Sequence, residues 1–188
     1  RAFTSYNVIW RLPGQVPGSG AVLLLAHWDH LGVCGAEDEV DRICNGAIDN
    51  ASGIAVMLEL ARRLAASGPF DRDIYVLATS AEESGLLGAR AFAETPPVPL
   101  ESIVAAFNFD TVAVAPEGSS VGFVGEGRTR LDPVILEVME RAGRKLGDKN
   151  FAESFVRRQD GWALLREGVP TVLLSTAFGS EIVLGPFL

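Results

Sequence analysis

Ala21 to Ala26 (AVLLLA) is apolar throughout and gives way abruptly to His27, Trp28, Asp29 and His30. An unbroken apolar run of this length predicts a central strand covered on both faces. Asp73 to Thr79 (DIYVLAT) and Ser102 to Phe109 (SIVAAFNF) predict two more strands, with Val121 to Val124 and Pro170 to Ser175 (PTVLLS) as shorter ones. Tyr6 to Leu12 (YNVIWRL) also reads as a strand. The Gly- and Pro-rich turn Pro13 to Gly20 behind it predicts a hairpin with Ala21 to Ala26.

Between the strands the apolar period lengthens. In Ala51 to Ser67, residues Ile54, Met57, Leu58, Ala61, Leu64 and Ala65 recur at helical spacing, and Gly68-Pro69 ends the segment. Ser84 to Glu94 predicts a short helix stopped by Pro96-Pro97. Asp132-Pro133 reads as an N-cap followed by proline at the first helical position. The helix it opens carries Val134, Ile135, Val138, Met139 and Ala142 on one face, and Gln159 to Glu167 predicts another helix. Strands alternating with helices predict an α/β domain, a mostly parallel sheet with helices on both faces. His27 to Asn50 remains as a long loop with a charged middle, a length that usually carries function or disorder.

A chain of 188 residues fits one domain, and no disulfide scaffold is needed to fold it. The net charge of −8 argues against a nucleic-acid partner, which needs a basic surface. No run of 18 apolar residues predicts a membrane span. The sequence begins with Arg1, so the lack of a legible signal peptide says little about location. Cys34 and Cys44 share the polar loop: a disulfide there suits an exported protein, two free thiols a cytosolic one. The balance favours an extracellular or periplasmic location.

Ligands of open α/β sheets bind outside the carboxyl ends of the strands. The acids of this chain fall at such places. The first central strand runs into His27 and Asp29, the second into Glu82-Glu83, the third into Asp110, and Asp49 stands just before a helix. Each has an ordinary structural reading alone, as a strand-end turn residue, a solvated pair or a helix cap. Together they converge on one sheet edge, where carboxylates repel one another unless a cation neutralises them. Oxygen donors with one imidazole suit zinc, manganese or cobalt. In His27-x-Asp29 the Asp can accept from the second ring nitrogen and orient the imidazole toward a metal. His30 points to the opposite side if the segment is extended, and reads as a structural or rim residue. Two metal ions about 3.5–4 Å apart form a hydrolytic device, which needs a bridging carboxylate and a base beside the attacking water.

The stretches AHWDHLG, NGAIDNASG, TSAEESGLLGAR and NFDT resemble, in order and spacing, the motifs of the M28 metallopeptidases, the co-catalytic zinc aminopeptidases. The related M20 peptidases share His-x-Asp and Glu-Glu but carry a Lys-Gly in the middle motif that this chain lacks. The resemblance implies the three-layer zinc-exopeptidase fold, phosphorylase/aminopeptidase-like, and two Zn2+ ions. It implies His27 and Asp110 on one ion, Glu83 on the other, Asp49 bridging both, Glu82 as general base and Asp29 supporting His27. The substrate implied is a peptide with a free N-terminus. The family takes a further histidine for its second zinc from a C-terminal segment. Ser175 to Phe178 resembles the approach to it, but no histidine follows. The expectation is a catalytic domain cut short at its C-terminus, with an incomplete second site. Gln159-Asp160-Gly161 also stands where many relatives have Ser-Asp-His, which puts side-chain preference in doubt. A non-catalytic binding module, or a glutaminyl cyclase or carboxypeptidase on the same scaffold, are the alternatives.

Overall fold

The computed structural model describes residues 4–112 and 115–176. Its main sheet is built from β1 (Val8–Leu12), β2 (Ala21–His27), β5 (Asp73–Thr79), β6 (Ile103–Asn108), β7 (Gly122–Val124) and β8 (Thr171–Ser175). The spatial order is β1-β5-β2-β6-β8-β7. β5, β2, β6 and β8 run parallel, and β1 and β7 close the two edges antiparallel. The predicted α/β class and mostly parallel mixed sheet are therefore present.

The apolar runs fill both faces of this sheet because strand side chains alternate. Leu23, Leu25, Tyr75, Leu77 and Ala106 point to one face and pack with Phe92 of α2 (Leu87–Glu94) and Leu164 of α5 (Gly161–Leu165). Leu24, Ala26, Ile74 and Val76 point to the other and pack with Met57 and Ala61 of α1 (Gly53–Ser67). The α1 stripe is narrower than its spacing predicts. Leu58 is exposed, while Leu60 packs beside Ile54 and Leu64. On α3 (Asp132–Arg141), Ile135 and Met139 are buried and Val134 and Val138 face solvent. A fourth helix, α4 (Lys149–Glu153), lies in a stretch without a clear apolar period and packs near β7.

The predicted β1–β2 hairpin does not form. β1 pairs with β5, which lies between it and β2. The connection explains the choice. Gln15 N–H donates to Phe70 O and Val16 N–H to Asp71 O, so the turn lies along the segment leading into β5. Asp73 then accepts from Gly14 N–H at 2.7 Å and from the Arg11 guanidinium at 3.0 Å. The loop after β2 has structure of its own. β3 (Gly32–Val33) and β4 (Ile43–Cys44) form a short ribbon, and Cys34 and Cys44 are joined in a disulfide.

Gly14 admits β1 to this edge, since a Cβ there would lie 2.4 Å from the Arg72 carbonyl carbon and 2.7 Å from Asp73 N. These are backbone atoms and cannot swing aside. Gly14→Ala is expected to destabilise the chain by about 1–3 kcal/mol, the usual cost of overpacking. Chemical denaturation measures it, and an unchanged midpoint contradicts this seating of β1.

Candidate metal centre

β2, β5 and β6 are adjacent and parallel, so their carboxyl ends deliver side chains to one crevice. His27 is the last residue of β2, level with Thr79 of β5, and is 1% exposed. Its Nε2 lies 3.0 Å from Asp49 Oδ1 and 3.8 Å from Asp110 Oδ1. Asp110, also buried, follows β6 and accepts from the Thr111 hydroxyl at 2.9 Å.

Asp49 comes from the turn Ala47–Ser52, at non-helical φ −105° and ψ 93°. The next residue fixes that turn, and the Asp49–Asn50 peptide bond is cis. The buried Asn50 amide donates to Phe109 O at 2.9 Å, and its Oδ1 accepts from Gly53 N–H at 3.0 Å and Thr111 N–H at 3.3 Å. One side chain thereby ties the Asp49 turn to the strand end bearing Asp110. Gly53 follows from this closeness: a Cβ there would fall 2.2 Å from Asn50 Oδ1 and 2.3 Å from Phe109 O.

Glu82 and Glu83 sit in a tight turn after β5, and Asp29 holds it. The Asp29 carboxylate accepts from Glu82 N–H at 3.0 Å and Glu83 N–H at 3.3 Å. This changes the part expected of Asp29. It is the Asp29 backbone oxygen that lies 3.1 Å from His27 Nδ1, while the carboxylate stands 3.8 Å away. Two backbone N–H groups claim the carboxylate, and the main chain is left to fix the imidazole. Ala81 and Thr111 both hold positive φ, at 57° and 48°, immediately before Glu82 and after Asp110. Strained backbone of this kind clusters at functional sites.

The structure brings in His30, which sequence reasoning left at the rim, and Asp160, which it named only as a departure bearing on side-chain preference. His30 Nδ1 lies 2.7 Å from Glu83 Oε1, on the same side as His27 rather than the opposite one. The extended backbone ends at His27, so strand alternation does not carry on to His30. Asp160, 1% exposed, accepts from the Thr79 hydroxyl next to the crevice. The neighbouring Gln159 accepts from the Asn108 amide at 2.8 Å. The sequence signal was Gln159-Asp160-Gly161 standing where relatives have Ser-Asp-His; the burial of the pair is seen only in the structure.

The donor atoms form two groups with Asp49 in common: His27, Asp49 and Asp110, and His30, Asp49 and Glu83. Within each group the atoms lie within 4.8 Å of one another. His30 Nδ1, Asp49 Oδ1 and Glu83 Oε1 are buried and close to neighbouring donors, yet none has a hydrogen bond. Buried polar atoms without partners are rare and costly. Atoms that approach without hydrogen-bond geometry are what a cation's ligands look like: zinc bonds of ~2.1 Å at tetrahedral angles place donors roughly 3.4 Å apart. The residues present fit a zinc site. Ser175, at the start of the stretch resembling the family's C-terminal approach, donates to Thr111 O, whereas Ala177 and Phe178 lie outside the described residues.

Electrostatics report the same crowding. Burial pulls the His27 imidazolium down, but Asp110 and Asp49 outweigh it and hold it up to about 11. Burial raises Glu82 to about 8, helped by the charges of Asp160 and Asp110 against His27. Burial also raises Glu83, with Asp49 adding to it, and lifts Asp160 to about 6.

An α/β sheet with an imidazole-carboxylate cluster at its parallel strand ends offers the donor set that a divalent metal ion takes. The profile of peptidase family M28 matches residues 7–182, and the chain belongs to that family. Among curated relatives, aminopeptidase YwaD of Bacillus subtilis is 32% identical over 77% of this chain and 30% of its own length. The chain thus spans about a third of that relative. Among solved structures, a zinc aminopeptidase from Bacillus subtilis superposes with TM-score 0.68 at 24% identity, covering 90% of this chain and 39% of that one. A glutaminyl cyclase of Porphyromonas gingivalis gives 0.66 at 20% identity, over 89% and 62%.

Two predictions follow from the geometry. Asn50→Ala leaves two N–H groups and a carbonyl without their partner, and is expected to cost on the order of 3 kcal/mol in urea unfolding. A loss below about 0.5 kcal/mol contradicts the stapling role. The second concerns pH. Metal-free, Glu82 and His27 keep protons that the unfolded chain releases near 4.5 and 6.5. The stability they lend is complete below those values and is lost as pH rises through about 8 for Glu82 and about 11 for His27. The metal-free chain should therefore lose Tm between ~pH 5 and ~pH 8, and the Tm gain on adding zinc should grow over the same interval. A gain independent of pH contradicts it.

Proposed function

We propose that the chain is the catalytic unit of a zinc aminopeptidase that removes N-terminal residues from peptides. The observation that carries the reading is the pair of donor groups sharing Asp49, with Glu82 beside them and free of both groups. Membership of peptidase family M28 sets the reaction class. His27, Asp110 and Asp49 would hold one ion, and Glu83 with Asp49 a second. Zinc, when bound, supplies Lewis acidity toward the scissile carbonyl and lowers the pKa of water.

Glu82 is the general base. Its carboxylate takes the proton of the attacking water and returns it to the leaving amine. In the metal-free chain burial, with the charges of Asp160 and Asp110, raises its proton affinity against His27. Asp29 acts on the turn, holding Glu82 and Glu83 side by side through their N–H groups. A disulfide in the loop beside the site fits an extracellular or periplasmic location.

The test is an aminoacyl-anilide panel with zinc added, run on the protein and on Glu82→Gln. An N-terminal glutaminyl peptide serves as a cyclisation control. The expected result is hydrolysis of unblocked substrates, with kcat lowered at least ~100-fold in the variant and zinc content unchanged. Equal rates for the two proteins, or cyclisation without hydrolysis, overturn it.

A further inference from the structure

We propose that the Cys34–Cys44 disulfide is a thiol-exchange site, through which a dithiol reductant loosens the metal centre. The effect on the centre rests on the metal-site reading above, whereas the exchange site rests on the loop alone.

The loop over residues 28–49 has little else to hold its shape. None of its residues is buried, and Leu31, Val33, Val40 and Ile43 face solvent. The hydrogen bonds described for residues 31–45 stay within the loop. β3 meets β4 over two residue pairs, and Cys34 N–H donates to Arg42 O at 3.0 Å. An exposed segment with so few contacts opens before the core does. The disulfide closes it. The apolar clusters on both faces of the sheet take no residue from this loop, so the core is complete without the bond. Breaking it changes the loop and spares the fold.

The loop runs directly into the crevice. Cys44 stands two residues before Gly46, which holds φ +68°, and a Cβ on Gly46 would lie 2.8 Å from His30 Cβ. The exit of the loop is thus pressed against its entry, with room there only for glycine. Gly46 O accepts from Ala51 N–H at 2.9 Å, across the turn that presents Asp49. The disulfide therefore acts on Asp49 through a short, braced length of backbone. Asp49 is the carboxylate common to both donor groups, so its placement governs how well the crevice is preorganised for a cation.

The exchange has a direction. Cys34 is exposed and Cys44 half-buried, so an incoming thiolate reaches Cys34 Sγ first. It forms a mixed disulfide there, and Cys44 leaves as the thiolate. The second thiol of the reductant then attacks the mixed disulfide and displaces Cys34. The dithiol gives up two electrons and two protons and closes to a disulfide, while the two cysteines end as thiols. Exposed disulfides are the labile kind on which such exchange acts.

The test compares three forms of the protein: oxidised, reduced with dithiothreitol under exclusion of oxygen and then freed of reductant, and the double variant Cys34→Ser/Cys44→Ser. Zinc affinity is read by competition with a chelator, loop opening by the rate of tryptic cleavage after Arg42, and the fold by far-UV circular dichroism. Reduction is expected to speed the cleavage at least ~10-fold with the circular dichroism unchanged. Zinc affinity should fall about 10- to 100-fold, the usual cost of losing support around a ligand. Reoxidation should restore both, and the double variant should match the reduced form and ignore dithiothreitol. The inference is overturned if the folded protein keeps its disulfide in dithiothreitol, if reduction unfolds the whole chain, or if the reduced protein holds zinc as the oxidised one does. A double variant with the oxidised affinity also overturns it, since free thiols competing for zinc would then explain the loss. In each of these cases the peptidase reading stands. If the oxidised protein itself binds no zinc, the metal-centre reading falls and takes the effect on the centre with it.

Discussion

The structure turns on a crowding of negative charge. Asp29, Asp49, Glu82, Glu83 and Asp110 are delivered to one crevice by three parallel strand ends and one turn, and the ion pairs described for them are with imidazoles alone. Such an arrangement is unfavourable unless protons or cations answer it. The raised proton affinities of His27, Glu82 and Glu83 are the protonic answer, and the unbonded buried donor atoms mark where a cationic one fits. The sheet provides the rigidity to hold the charges in place. Leu23, Leu25 and Leu77 behind the crevice are fully buried, so the strand ends cannot relax apart.

Around that centre the remaining polar contacts serve placement. Asn50 ties the Asp49 turn to the β6 exit, Asp29 ties the Glu82-Glu83 turn to the β2 exit, and Asp160 with Gln159 ties the start of α5 to the ends of β5 and β6. Each joins segments distant in sequence through a buried or half-buried side chain. Of the three, the Asp29 tie acts on the Glu82-Glu83 turn directly, through the two N–H groups.

Much of this was legible in the residues. The unbroken apolar runs marked the strands buried on both faces, and the acid following each run marked its carboxyl end. Those two signals are local, so they survive without a structure. What failed was whatever depended on pairing or on irregular backbone. The β1–β2 hairpin looked natural from a Gly-Pro turn, but Asp73 and the backbone of residues 70–71 recruited that turn to β5. His30 looked misdirected because strand alternation was extended past His27, where the strand ends. The part of Asp29 shifted for the same reason: the chain folds back over His27, leaving its carbonyl on the ring and its carboxylate free for the next turn. The mutual reach of His30 and Gly46 is a contact between two ends of a long loop, and no local pattern encodes it.

The central claim is that a cation completes the crevice. Anomalous diffraction at the zinc edge, from crystals grown with zinc, measures this most directly. The account predicts a peak within ~2.0–2.2 Å of His27 Nε2 and of oxygens of Asp49 and Asp110. A crevice without anomalous density, with zinc found only on surface carboxylates, would contradict it.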